Sequence, residues 1–288
     1  MKRTFGLLVA AALLLAGVVT AQAQEKMTPP RILVITREVE KLGKGAAHEK
    51  LETTWAAAFK KAHAAPYVAV TAMTGEHRAL FISAYDSITA WEKDNNAQLA
   101  NATFQAENES LSAKDADLIS GSSTGVYTYM PEISYPLAES LATSRYFIIS
   151  VVDVKPGHGD HFIEIRKLIK AAHEKAGLSD HYAVYHGSLG GPSTRYAIFV
   201  PVKSLAELDQ YSTIHGKAYH AALGEEGQKK INEFNMQGLA STEANIFSFN
   251  PKMSNTSKDW IDADPGFWAP KPAATKAPAA KKEAAPKP

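Results

Sequence analysis

The chain has 288 residues, 45% hydrophobic and 21% charged, which is typical of a soluble globular protein and allows one large domain or two of moderate size. Its formal net charge is +1, and basic residues interleave with acidic ones outside the C-terminal tail, so nucleic acid is not favoured as a partner. The absence of cysteine excludes disulfides, a thiol nucleophile and a cysteine-linked lipid anchor.

Several enzyme classes are excluded by the motifs that the sequence lacks. The chain has no Gly-x-Gly-x-x-Gly turn between a strand and a helix, no Walker loop and no Gly-x-Ser-x-Gly turn. Dinucleotide-binding, P-loop and α/β-hydrolase chemistry are therefore not predicted.

The N-terminus has the features of an export signal. Lys2 and Arg3 form a short basic start, Leu7–Val19 is an apolar run, and Ala21-Gln22-Ala23 is a small-x-small cleavage site. The apolar run is short for a membrane span, and polar residues and prolines follow it at once. We therefore predict cleavage before Gln24 and a periplasmic or secreted protein; a retained membrane anchor is the alternative.

Residues 31–135 predict one unit with the order β-α-β-β-α-β. The run Ile32–Ile35 is continuously apolar and rich in β-branched residues, which is typical of a strand covered on both faces. Gly43 and Gly45 form a turn after it. The remaining elements are predicted in this order: a helix from about Ala46 to His63, a hairpin of strands Tyr67–Met73 and Arg78–Tyr85, a helix capped by Ser87, a polar and mostly helical stretch 95–123, and a strand Val126–Tyr129 stopped by Pro131.

The same order recurs in residues 145–254. Arg31 and Gly43 match Arg145 and Gly157 at one spacing of 114 positions (31 to 145 and 43 to 157). Ordered matches along the whole unit indicate an internal duplication. The corresponding elements are strand Tyr146–Val154, a helix with the apolar stripe Phe162, Ile165, Ile169 and Ala176, strands Tyr182–His186 and Arg195–Val202, a helix capped by Ser204, and strand Ile246–Phe249.

Each unit provides a sheet with helices on one face, and its apolar first strand needs a cover on the other face. The simplest cover is the sheet of the sister unit. The strand–turn–helix start, the short hairpin and the helix starts Ser87…Trp91 and Ser204…Leu208 resemble the dimeric α/β-barrel superfamily, in particular its antibiotic-biosynthesis-monooxygenase-like and stress-response branches. The resemblance covers about Arg31–Ser254. It implies an α+β fold of two tandem ferredoxin-like β-α-β-β-α-β repeats, packed sheet to sheet as an intramolecular pseudo-dimeric barrel, and hence a monomer.

In the superfamily that the chain resembles, ligands lie in the cleft between the sheet and its helices. Polar residues on the apolar helix stripes are therefore the candidates for chemistry, and here they are His48 and His173. Either imidazole could serve as acid, base or ligand, or be a half-buried structural histidine. Six aromatic residues are candidates to line a pocket, or else to belong to the core: Trp55, Phe59, Tyr67, Tyr85, Tyr182 and Tyr185.

Arg78 and Arg195 open equivalent strands of the two units. They are candidates to clamp an anionic ligand, and the alternative is a structural ion pair with Glu38 or Asp153.

A loop metal site is a further hypothesis. His158 and His161 flank Asp160 at the start of a helix, where the first unit has no histidine. The pairs His181/His186 and His215/His220 diverge on a predicted strand and helix, and neither is a ready metal site. No cofactor is implied by the sequence.

Two C-terminal segments follow the second unit. Residues 255–269 contain Trp260, Phe267 and Trp268, which we expect to dock on the barrel, either over a pocket mouth or on a helix. Residues 270–288 contain only Pro, Ala, Lys, Thr and Glu, which predicts a disordered basic tail that is either a weak contact to the anionic cell envelope or a spacer. The predicted divisions are a signal peptide 1–23, linkers 24–30 and 136–144, repeats 31–135 and 145–254, the aromatic segment 255–269 and the tail 270–288.

The leading hypothesis for function is an exported protein that binds a small, partly apolar molecule in one or both sheet–helix clefts. The resemblance also permits a cofactor-independent monooxygenase-like enzyme or a haem-handling relative. The third hypothesis is a non-catalytic structural protein of the envelope.

Overall fold

The computed structural model describes residues 29–135 and 140–269. The predicted signal peptide and tail, and parts of both linkers, lie outside these ranges. The strands are β1 Ile32–Glu40, β2 Tyr67–Ala72, β3 Arg78–Tyr85, β4 Ile119–Tyr129, β5 Tyr146–Val154, β6 Ala183–Leu189, β7 Arg195–Val202 and β8 Leu239–Phe249. The helices are α1 Gly45–Lys61, α2 Ile88–Ala100, α3 Ala102–Asp115, α4 Gly159–Ala176, α5 Glu207–Gln210, α6 Gly216–Gln237, α7 Lys258–Ala263 and α8 Pro265–Trp268.

The eight strands form one closed antiparallel barrel in the order β1-β3-β2-β8-β5-β7-β6-β4. Each half of the chain contributes four neighbouring strands, and the two halves meet along two hydrogen-bonded seams. At one seam Val70 of β2 lies opposite Phe249 of β8, and at the other Tyr129 of β4 lies opposite Tyr185 of β6. The predicted α+β class and barrel are confirmed, and the two sheets join edge to edge into one ring.

The barrel interior is a single apolar core to which both halves contribute. Leu33 and Ile35 of β1 point inward, while Ile32 and Val34 face the helices, so this strand is buried on both of its faces, as expected. The interior side chains are Leu33, Ile35, Val70, Leu80, Ile82, Phe147, Ile149, Ala183, Tyr185, Ala197, Phe199, Phe247 and Phe249.

Two strands begin earlier in the structure than the sequence predicts, and both for the same physical reason. β4 begins at Ile119 instead of Val126, and β8 begins at Leu239 instead of Ile246. Their first halves are polar and largely exposed, so no apolar alternation marks them. Pairing with β1 and β5 holds these segments in the sheet.

The spacing of Leu51, Trp55, Phe59 and Ala62 predicts an apolar stripe on α1, and in the structure this stripe packs on another helix. Leu51, Trp55 and Phe59 pack against Phe104 and Leu111 of α3. Three other α1 side chains, His48, Glu52 and Ala56, are buried toward the sheet. Because two of the three are polar, hydropathy patterning misses this face.

The aromatic C-terminal segment closes one end of the barrel, as expected. Trp268 is buried, its indole Nε1 donates a hydrogen bond to the Ala142 carbonyl at 2.7 Å, and its ring lies 5.6 Å from that of Phe249. Trp260 lines a cavity of about 220 Å³ at this end of the barrel. The segment therefore packs on the core and borders a pocket. Within the described ranges, no helix combines the length and the hydropathy that crossing a bilayer requires.

Candidate functional site

A cavity of about 310 Å³ lies between the first-half sheet and helices α1 and α2. The four first-half aromatic residues proposed from sequence all line it, together with Phe81 and Trp91. The ring of Phe59 stands edge-on to that of Tyr67 at 5.3 Å and stacks with that of Trp55 at 6.1 Å. The cavity therefore has an aromatic wall built from two helices and two strands.

Polar groups are distributed around the same cavity. The Tyr85 hydroxyl donates to Asp94 Oδ2 at 2.8 Å, while the Trp55 indole Nε1 is buried and finds no acceptor among the described residues. Glu38 and Glu52 contribute carboxylates to the lining. Burial, and next the charge of Glu52, raise the pKa of the Tyr67 phenol, which stays neutral.

An acidic cluster with one histidine lies at the wall of this cavity. His48 Nε2 is 3.0 Å from Glu38 Oε2, 3.7 Å from Asp115 Oδ1 and 3.9 Å from Glu52 Oε1. On the other side of the ring, His48 Nδ1 lies 3.4 Å from Glu40 Oε1. We call Glu38, His48, Glu52 and Asp115 the acidic cluster. Their ligating atoms all lie within 4.8 Å of one another.

Local structure explains how these side chains meet. Glu38 and Glu40 alternate with inward-facing residues on β1, so both point toward the helices. His48 and Glu52 are one helical turn apart on α1, and Asp115 is the last residue of α3. A Cβ on Gly45 would lie 2.7 Å from Glu40 Oε2, so a larger residue at this position would displace the Glu40 carboxylate.

Burial and mutual repulsion shift the pKa values of the cluster. Burial, and next the charge of Glu38, raise the pKa of Glu52 to about 8. The same two causes raise the pKa of Asp115. Burial alone would lower the pKa of His48, but the Glu38 hydrogen bond and the surrounding carboxylates outweigh it and raise that pKa. Glu52 is therefore largely protonated at pH 7, and the cluster holds three carboxyl groups around one imidazole whose protonated form they favour.

Sequence reasoning found His48 and missed its partners. Glu38 was considered only as an ion-pair partner, and Glu52 and Asp115 were not considered as site residues. The available signal was the His-x-x-x-Glu spacing of His48 and Glu52, which places both on one helix face. Asp115 carries no comparable local signal.

The second half has no equivalent cluster at the corresponding positions. Phe162 and Arg166 stand 114 positions after His48 and Glu52 (48 to 162 and 52 to 166). The Phe162 ring packs 4.2 Å from that of Tyr196, and the Arg166 guanidinium lies 4.6 Å over the Tyr182 ring. The cleft between sheet and helices in the second half is therefore apolar and cationic at these positions, whereas that of the first half is acidic.

The other predicted second-half residues lie in separate surroundings. His173 Nδ1 is 2.9 Å from the Ile169 carbonyl, and its ring is 5.3 Å from that of Tyr182. Burial lowers the pKa of His173. Tyr185 lines the barrel-end cavity and donates to the Pro30 carbonyl at 3.0 Å. The structure therefore does not bring His173, Tyr182 or Tyr185 to the first cavity.

Arg78 and Arg195 form structural ion pairs and do not line the cavity. Arg195 makes a bidentate pair with Asp153, with both distances 2.8 Å. Arg78 pairs with Glu243 across the β2–β8 seam at 2.7 Å, so the predicted partner Glu38 is wrong for Arg78. The anion-clamp alternative has no support in these contacts.

Replacing Arg195 by Gln should lower the free energy of unfolding by about 0.5–1 kcal/mol at pH 7. The Arg195 hydrogen bonds hold the pKa of Asp153 below its usual value, so the pair stabilises the fold above the unfolded-state pKa of about 3.9. This contribution is lost as the pH falls through the lower folded-state pKa. Urea unfolding at pH 7 and pH 3 checks this, and a difference between the two proteins that persists undiminished at pH 3 would refute it.

The loop histidines His158 and His161 have ring centroids 6.4 Å apart, and His161 packs on Phe234. Within residues 29–135 and 140–269, three or more side chains that could bind a metal come together at the acidic cluster alone. Neither loop histidine belongs to it. His186 lies against Tyr196, His181 stacks on Tyr135, His215 pairs with Asp180 and His220 pairs with Gln228.

Comparison with known proteins finds similarity to solved structures only. No protein-family model matches the chain, and no curated protein does. The chain is similar to a candidate monooxygenase from Fusobacterium nucleatum, with 13% identity, 77% of this chain and 94% of that one covered, and a TM-score of 0.49. It is similar to an anthrone oxidase-like protein, with 12% identity, 82% and 96% covered, and a TM-score of 0.49. It is also similar to a mutant chlorite dismutase from Candidatus Nitrospira defluvii, with 7% identity, 84% of this chain and 98% of that one covered, and a TM-score of 0.45. Because these scores are below 0.5, the fold and the site rest on the strand pairing and side chains described above.

Proposed function

We propose that this protein binds a small, partly apolar molecule in the cavity of its first half. The observation that carries the proposal is the lining itself: six aromatic side chains and two carboxylates converge on one space of about 310 Å³. Concave sites with mostly apolar walls and a few convergent polar groups are typical of ligand pockets, and this volume is at the small end of their range.

The lining also defines the chemistry of the ligand. The rings of Trp55, Phe59 and Tyr67 favour a flat aromatic group. The Glu38 carboxylate favours a positive charge at one end, and the Glu52 carboxyl can accept a hydrogen bond there. The Asn95 and Gln98 side-chain amides in the lining favour a hydrogen-bonding group elsewhere on the molecule. A compact aromatic amine with a hydroxyl group satisfies all three conditions.

Tyramine and 3-(4-hydroxyphenyl)propionate test this proposal, because they share a phenol ring and differ in the sign of the terminal charge. We expect isothermal titration calorimetry of the metal-free protein to show tyramine binding, with the propionate at least about tenfold weaker, since it would meet like charges. Trp55→Leu should weaken tyramine binding by about tenfold, and the remote control Arg195→Gln should leave it unchanged. Equal affinity for the two probes, or no binding of either, would refute the proposal.

A haem does not fit this cavity. No described histidine lines it, and His48 of the neighbouring cluster is completely buried with both ring nitrogens facing carboxylates. The propionates of a haem would also meet the Glu38 carboxylate as a like charge. An absorption spectrum combined with native mass spectrometry of the purified protein checks this. We expect no haem absorption, and a stoichiometric haem peak would favour the haem-handling hypothesis.

We also propose that the protein acts outside the cytoplasm, on the basis of its N-terminal sequence. Mass spectrometry of the exported protein should give an N-terminus at Gln24. Retention of the first 23 residues would support a membrane anchor instead.

The two halves are proposed to be tandem ferredoxin-like repeats that form a pseudo-dimer within one chain. The support is that both use the same internal strand order, β4-β1-β3-β2 and β8-β5-β7-β6. Because each half supplies the other with its second sheet, light scattering should give the mass of a monomer.

A further inference from the structure

We infer that the acidic cluster is a binding site for one divalent first-row transition-metal ion. The four candidate ligands are Glu38, His48, Glu52 and Asp115. This goes beyond the proposed function, since the inference requires no organic molecule in the cavity.

The distances suit an ion at the centre of the cluster. A tetrahedral ion with bonds of about 2.1 Å holds its ligand atoms about 3.4 Å apart. The three carboxylate oxygens lie between 3.0 and 3.9 Å from His48 Nε2, which brackets that value. Small side-chain adjustments would therefore complete the coordination.

Burial provides a second and independent reason for a ligand. Asp115 is 6% exposed, and its Oδ1 atom points into the cluster without a hydrogen-bond donor among the described residues. His48 is completely buried. The salt bridges found in residues 29–135 and 140–269 connect none of the cluster carboxylates to a lysine or arginine. Buried carboxylates are normally paired or bound to a metal, so a cation accounts for this arrangement.

The opposite edge of the imidazole fits the same assignment. Glu40 Oε1 lies 3.4 Å from His48 Nδ1 without a hydrogen bond in this structure, and it would accept the Nδ1 proton after a small shift once an ion replaces the present contact of Nε2 with Glu38. A carboxylate behind a metal-bound histidine is a common arrangement that fixes the tautomer and the ring orientation. Glu40 is therefore a positioning residue in this proposal.

The donor set selects the class of ion. One imidazole with three carboxylates suits Mn²⁺, Fe²⁺ or Zn²⁺, whereas Mg²⁺ and Ca²⁺ prefer oxygen ligands alone. Glu38 and Glu52 also line the aromatic cavity, so the ion would be accessible from it. Occupancy by an ion would neutralise the carboxylates that attract a positively charged ligand.

The test is calorimetric titration of the chelator-treated protein with Zn²⁺ and Mn²⁺. We expect one ion per chain, with Mg²⁺ and Ca²⁺ much weaker. Glu52→Gln and Asp115→Asn keep the side-chain volume and should each weaken binding at least about tenfold. Two control variants should bind as the unmodified protein does: Glu49→Gln, which alters a neighbouring carboxylate paired with Lys252, and the double variant His158→Ala/His161→Ala.

A spectroscopic readout covers the case in which a cluster variant does not fold. Electron spin-echo measurements on bound Mn²⁺ should show coupling to an imidazole nitrogen. Absence of that coupling, absence of binding at millimolar ion, or full affinity in Asp115→Asn would overturn the inference, and His48 would then act as a counter-ion to the carboxylates. Tyramine binding is measured without metal, so either proposal can fail alone; if both hold, Zn²⁺ should weaken tyramine binding by about tenfold or more.

Discussion

Replacing Phe247 by Ala should lower the free energy of unfolding by about 3–5 kcal/mol. Phe247 is 1% exposed in the barrel interior, lies opposite Phe147 of β5 and Ala72 of β2, and has the Arg78 guanidinium 5.5 Å from its ring centroid. The substitution leaves a cavity at the seam where the two halves join. Because both halves share this core, we expect one cooperative transition with an unchanged denaturant slope.

Equilibrium unfolding in guanidinium chloride, followed by circular dichroism, measures this loss. The matched control is Leu42→Ala, at a side chain that is 88% exposed, which should change stability by no more than about 0.5 kcal/mol. A loss below about 1 kcal/mol for Phe247→Ala, or two separate transitions, would be inconsistent with a core shared by both halves.

Replacing Trp268 by Ala should have an effect of similar size, about 3–5 kcal/mol. Its ring is 3% exposed and lies 5.0 Å from that of Trp260, and its indole N–H donates to the Ala142 carbonyl. Truncation removes this packing and leaves the carbonyl without its donor. Trp268→Phe keeps most of the ring but not the hydrogen bond, so it should cost less than Trp268→Ala.

The same unfolding measurement checks this prediction against a control in the same segment. Lys258 is largely exposed and, among the described residues, forms its salt bridge with Asp262, so Lys258→Ala should leave the free energy of unfolding nearly unchanged. If Trp268→Ala were as mild as Lys258→Ala, the aromatic segment would not be a structural part of the barrel.

The repetition at 114 positions made much of the fold predictable. Strands β3, β5 and β7 have the predicted bounds, because each is an apolar run between clear turns. The first halves of β4 and β8 were missed since they are exposed and polar, and only their pairing with β1 and β5 marks them as strands. The partner of Arg78 was missed because Glu243 reaches it only after the barrel closes.

The candidate site was predictable in its apolar part alone. Trp55, Phe59, Tyr67 and Tyr85 were named as lining candidates, and one cavity joins them. Glu52 and Asp115 were not, because single carboxylates in polar helices are normally solvated; the spacing of His48 and Glu52 places both on one helix face but does not show that this face is buried. The carboxyl groups of β1, α1 and α3 surround His48 only after these three elements have packed together.

The position of tyramine bound to the metal-free protein, determined by X-ray crystallography, tests the central claim most directly. We predict the phenol ring among Trp55, Phe59 and Tyr67, with the ammonium group at Glu38 or Glu52. Tyramine found instead in the barrel-end cavity beside Trp260, or absent from a crystal soaked well above its measured Kd, would contradict the assignment of the first-half cavity as the ligand site.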